Sequence, residues 1–122
     1  MNPVNWFEIP VHDFDKAKRF YEAVLGLEEL AVTEMGPKKM AWFPMKEGAS
    51  GAAGGLIKGE GYIPSHSGAL VYFSVADIDA TLAKIDKHGG RALFPKTGIG
   101  QHGFIAHFED CEGNRVALHA RS

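Results

Sequence analysis

The second half of this chain restates the first. Val11, Asp13, Asp15 and Gly26 are matched by Val75, Asp77, Asp79 and Gly90, each 64 positions further on. A repeat at fixed spacing means one supersecondary unit used twice, each copy covering apolar surface that the other leaves bare. Between these anchors the apolar residues follow a helical period, through Phe14, Ala17, Tyr21, Val24 and Leu25 in one copy and Ile78, Leu82 and Ile85 in the other. Asp13 and Asp77 can each accept from the free N–H groups of a first helical turn, and Gly26 and Gly89-Gly90 can take the left-handed conformation that ends it. The spacing predicts helices over 13–25 and 77–88.

A β-prone run precedes each helix, at 4–11 and 69–75. Three more follow each helix: 28–33, 39–45 and 52–58, then 91–94, 103–109 and 115–120. The segment from Asp110 to Asn114 reads as the turn before the last strand, because Gly113 and Asn114 tolerate positive φ. The expected fold class is α+β: one domain over 1–122, made of a βαβββ module (1–58), a linker (59–68, with Pro64) and a second βαβββ module (69–122).

The 122 residues, 45% hydrophobic, are enough to bury a core. A net charge of −2 with no run of one sign argues against nucleic acid or an anionic membrane as partner. Cys111 is the single cysteine, so neither an internal disulfide nor a thiolate metal cluster can form. With no basic, apolar leader at the N-terminus, a soluble cytoplasmic protein is expected.

Phe7-Glu8-Ile9-Pro10-Val11, Asp13, Phe20-Tyr21 and Leu25-Gly26, followed by Asp77, Gly89-Gly90 and the closing run Glu109-Asp110 with Glu112-Gly113-Asn114-Arg115, resemble the vicinal-oxygen-chelate superfamily over essentially the whole chain. This is the group of glyoxalases, bleomycin resistance proteins and ring-cleaving dioxygenases. Pro95-Lys96-Thr97 and the Gly-rich fourth strand place the resemblance nearest to small bacterial proteins described as related to lactoylglutathione lyase. The resemblance implies two curved four-stranded sheets forming an open barrel around a cavity, and pairing into a homodimer. The chemistries it implies range from isomerisation to antibiotic sequestration, and the fold does not choose among them.

The resemblance also implies a divalent ion held by one His or Glu on each of the first, fourth, fifth and eighth strands. Counting from the helix starts and the last turn puts Trp6, Leu70 and Ala117 at three of these positions, and the fourth strand, within Gly48 to Ile57, holds no His, Asp or Glu. No metal and no other cofactor is therefore expected. The one surviving metal reading is a displaced site at Glu8 and His119, which needs His66, His102 or His107 to reach the three protein ligands usual for catalysis.

The period of two along a strand puts Trp6 with Glu8, Leu70 with Tyr72 and Ser74, and Arg115 with Ala117 and His119. Converging in a cavity, these residues suit a small organic ligand bearing a hydroxyl, carbonyl or carboxylate. One reading makes Glu8 a base, assisted by Tyr72 or His119, in lyase or isomerase-type proton transfer, with Trp6, Leu70, Arg115 and Ala117 touching the ligand. Another pairs Glu8 with Arg115 or His119 as a buried ion pair. The alternative function is non-catalytic sequestration of an antibiotic or toxin, as in bleomycin resistance, and a third is an interaction module without chemistry. The phase of His102 and His107 is not fixed by the sequence. Gly48 to Gly55 lacks the Gly-Lys-Ser/Thr of a phosphate loop and reads as a hairpin with a small-residue strand.

Overall fold

The computed structural model describes residues 2–122. The first module consists of β1 (Trp6–Pro10), α1 (Phe14–Leu25), β2 (Ala31–Met35), β3 (Lys38–Trp42) and β4 (Ala53–Lys58). The second consists of β5 (Tyr72–Ser74), α2 (Ile78–Lys87), β6 (Arg91–Gly98), β7 (Phe104–Glu109) and β8 (Arg115–Ala120), with one 3-10 turn at Gly100–His102. The βαβββ unit thus occurs twice, and the helices start where the aspartates predict. Asp13 Oδ1 accepts from Lys16 N at 3.3 Å and Asp77 Oδ1 from Ala80 N at 3.0 Å. Gly26, at φ 63°, closes α1.

The strands form two sheets in the equivalent orders β1-β4-β3-β2 and β5-β8-β7-β6. β1 runs parallel to β4 and β5 parallel to β8; the other pairs are antiparallel. β1 and β5 are edge strands, and among the described residues no strand pair closes the two sheets into a barrel. β2 begins later than the sequence predicts because the Glu22 carboxylate takes the Leu30 N–H at 2.8 Å, holding the segment before it to the end of α1. β6 continues to Gly98, past Pro95, through two register shifts; on an edge strand the missing proline N–H costs no ladder bond.

Alternation assigns the faces. Ile9, Val11 and Leu56 from the first sheet and Phe108, Val116 and Leu118 from the second turn toward the helices, and join Phe14, Tyr21, Val24, Ile78 and Ile85 in one buried cluster. Phe73 sits at the seam, its ring centroid 5.3 Å from Phe43 and 5.9 Å from Phe7. The Phe7 ring also covers Gly54, where a Cβ would collide with it. The small residues of β4 therefore admit a neighbouring side chain of the same module.

The Asp110–Asn114 turn fastens the second module to the first. Tyr21 donates to Asp110 Oδ2 at 2.6 Å, and Asn114 Nδ2 donates to the Pro10 carbonyl at 2.8 Å. Glu112 Oε1 accepts from the N–H groups of His12 and Asp13, while its Oε2 lies 3.1 Å from Lys16 Nζ. The start of α1 is thus capped by a residue of the opposite half.

Candidate functional site

The sheet faces turned away from the helices carry the polar and aromatic residues singled out in the sequence. On the first, the Trp6 indole donates to Glu8 Oε2 at 3.2 Å and meets Trp42 edge-on at 5.0 Å. Trp42 pairs with Gly55 and Ala31, which puts it on this same face, and its buried indole N–H has no hydrogen-bond partner. Glu8 itself is exposed.

On the second sheet, Tyr72 and His107 both pair with Ala117, from the two sides of β8. The Tyr72 hydroxyl lies 3.3 Å from His107 Nε2, and Arg115 Nε and Nη2 lie 3.2 and 2.8 Å from His107 Nδ1. Phe94 places its ring 5.6 Å from that of His107. Burial, and then the Arg115 charge, hold His107 below the ordinary imidazole range. At the turn end of the same face, Glu109 engages His66 at 2.7 Å and Arg91 at 3.2 Å. His119, further along β8, donates from Nε2 to the His102 carbonyl at 2.6 Å.

The model of the glyoxalase/bleomycin resistance protein/dioxygenase superfamily matches residues 4–118. The chain belongs to that superfamily. A glyoxylase-like domain-containing protein of Didymella fabae is 29% identical over 126 residues, covering 97% of this chain and 93% of that protein. Among solved structures, a glyoxylase/bleomycin resistance protein/dioxygenase domain from Frankia sp. EAN1pec superposes with TM-score 0.74 at 19% identity, covering 100% of this chain and 99% of the other. Glyoxalase I of Zea mays superposes with TM-score 0.70 at 20% identity, and this chain, covered to 95%, spans 45% of the maize chain. TnmS3, an antibiotic-binding protein from Streptomyces sp. CB03234, superposes with TM-score 0.66 at 25% identity, covering 100% of this chain and 98% of TnmS3.

The metal-dependent members of the superfamily hold a divalent ion, and the residues present here do not fit one. Trp6, Leu70 and Ala117 offer no ligating atom, and β4 reads Ala-Gly-Gly-Leu-Ile-Lys. Among the described residues no three of His, Cys, Asp and Glu are grouped closely enough to hold an ion. His119, half of the displaced pair considered above, has Nε2 committed to a backbone carbonyl.

The structure separates what the sequence expected to converge. Glu8 does not pair with Arg115 or His119: β1 neighbours only β4, whereas β8 lies between β5 and β7. Glu8 bonds instead to the indole two residues before it. Among the described residues, no hydrogen bond, ion pair or aromatic contact joins the helix-averted face of one sheet to that of the other. Ala117, expected to touch ligand, is fully buried. Leu70 lies ahead of β5 and lines, with Phe7, Phe43, Tyr72 and Phe73, a groove of about 870 Å³ along the seam between modules. Trp6, Glu8, Arg115 and His119 stand outside that groove. Sequence reasoning left the phase of His107 open and passed over Trp42. Burial, and then Asp110, push the Cys111 thiol up to about 12.

Proposed function

We propose that this superfamily member binds a small oxygenated aromatic ligand on its two helix-averted sheet faces, without a metal ion, in a pocket completed by a second copy of the chain. The observation that carries this reading is the aromatic and polar surface of both faces, exposed at Tyr72, Phe94 and Glu8 and half-buried at Trp6 and Trp42. Tyr72 is 47% and Phe94 41% exposed in the single chain, and Trp6, Trp42 and Glu8 share the other face. Apolar rings with a few fixed polar groups are the makings of a small-molecule site. The free edges of β1 and β5 favour self-association, because an unpaired strand edge invites cover. Likeness to an antibiotic-binding protein agrees with capture of an organic molecule. A melting-temperature screen of hydroxylated and carbonyl-bearing aromatics tests the reading. A bound compound at a hundred times its Kd stabilises by about 2.7 kcal/mol, and Trp6→Ala is expected to lose most of that gain. If no compound raises the melting temperature, the reading falls.

Proton transfer by Glu8 is the second reading. It is favoured by a carboxylate that is exposed and bonded through one oxygen to Trp6, leaving the other open to a ligand. Exchange of a carbon-bound proton next to the ligand carbonyl, followed in deuterated water, is expected in the wild type and lost in Glu8→Gln. Absence of exchange in the wild type leaves sequestration.

A further inference from the structure

Arginine has only donors, so the Arg115 contacts at 3.2 and 2.8 Å oblige His107 Nδ1 to be the acceptor. A neutral imidazole with an unprotonated Nδ1 carries its proton on Nε2. Burial and the Arg115 charge both favour that neutral form. The Nε2 proton then points at the Tyr72 oxygen, 3.3 Å away. With its oxygen accepting from His107, the phenol has its own O–H proton left, and no other protein group bonds to it among the described residues. We propose that His107 is a positioning residue that fixes Tyr72 as a hydrogen-bond donor, so that the second module's face takes a ligand through an acceptor oxygen attached to an aromatic ring, with Phe94 beside that ring. This deepens, and rests on, the reading that ligand occupies the helix-averted faces. It assigns the ligand's carboxylate, phenolate or carbonyl oxygen to the second module.

Two measurements test it. In the ligand-free protein, imidazole ¹⁵N resonances are expected to show His107 protonated at Nε2 and bare at Nδ1, and Arg115→Met is expected to let the tautomers mix while amide resonances elsewhere hold. A bare Nε2 in the wild type overturns the proposal, whatever binds. For recognition, 2-naphthoate and 2-methylnaphthalene share a ring and differ in the acceptor oxygens. Tyr72→Phe is expected to weaken 2-naphthoate about tenfold, as loss of a hydrogen bond to a charged group does, and to leave 2-methylnaphthalene unchanged. Arg115→Met, which also removes a positive charge, is expected to weaken 2-naphthoate at least as much. Equal binding of 2-naphthoate by wild type and Tyr72→Phe overturns the donor assignment and spares the ligand-face reading. Failure of both naphthalenes to shift resonances of these faces overturns both.

Discussion

The Tyr21 hydroxyl, in the middle of α1, donates to the Asp110 carboxylate in the last turn of the second module across 2.6 Å, with both residues buried. Burial, and then Asp110, push the phenol well above its ordinary value, so it stays a donor. Tyr21→Phe keeps the ring and removes the donor. Urea unfolding is expected to show a loss of about 1.5–3 kcal/mol, the range for a hydrogen bond to a charged group. An unchanged midpoint and slope would show that the bond contributes nothing to joining the halves.

Glu112 is expected to behave as a cap on a helix to which it does not belong. Its side chain is 4% exposed and satisfies the N–H groups of His12 and Asp13. Glu112→Ala leaves both unpaired, at a cost of about 1–3 kcal/mol. The loss should be accompanied by faster amide exchange in the first turn of α1.

Cys111 is expected to resist alkylation. With its thiol pushed up to about 12, the thiolate fraction at pH 8 is about one in ten thousand. Iodoacetamide should label the native protein far more slowly than the same protein in urea. Equal rates would contradict the burial.

Elemental analysis of protein purified without chelator is expected to find well under one divalent ion per chain, and EDTA to leave the melting temperature unchanged. Trp6, Leu70 and Ala117 cannot ligate. One retained ion per chain would place a metal at residues other than these.

His107 should give stability a pH dependence of known sign. Its folded value is depressed below the ordinary 6.5, so unfolding takes up a proton in the window between the two. The contribution is present above pH 6.5 and lost as pH falls through the lower, folded value. Unfolding free energies of wild type and His107→Gln, measured from pH 7 downward, should converge. Parallel curves would mean that the ring is not held neutral.

The helices were legible because their signals are local: Asp13 and Asp77 each bond within one turn, and Gly26 stops α1 with its own backbone. The aspartate signal recurs in the second copy, whereas α2 ends on His88, with Gly89 and not Gly90 at positive φ. β5 is shorter than the apolar run from Ala69 to Val75, because its register with β8 covers Tyr72 to Ser74, with flanking hydrogen bonds at Val71 and Val75. The phase of His107 was in fact recoverable. Folding β7 back on β8 about the Asp110–Asn114 turn sets Glu109 against Arg115 and His107 against Ala117.

The expected site was read less well, for a different reason. Strand parity put Glu8, Arg115 and His119 on the correct faces, but parity is blind to how two separate sheets are placed. The Trp6 indole as partner of Glu8, and the carbonyl of His102 as partner of His119, depend on contacts that no period encodes.

The cap that Glu112 supplies to α1 also sets an order of events during synthesis. The first module is fully translated at Lys58, yet the acceptor for the His12 and Asp13 amides emerges 54 residues later. At roughly 5–20 residues per second that is an interval of roughly 3–11 s. Through this interval the start of α1 lacks its Glu112 acceptor, and until Phe73 follows, 15 residues after Lys58, Phe7 and Phe43 are bare toward it. The time for which the first module stands without these partners is therefore set by the speed of translation across the second.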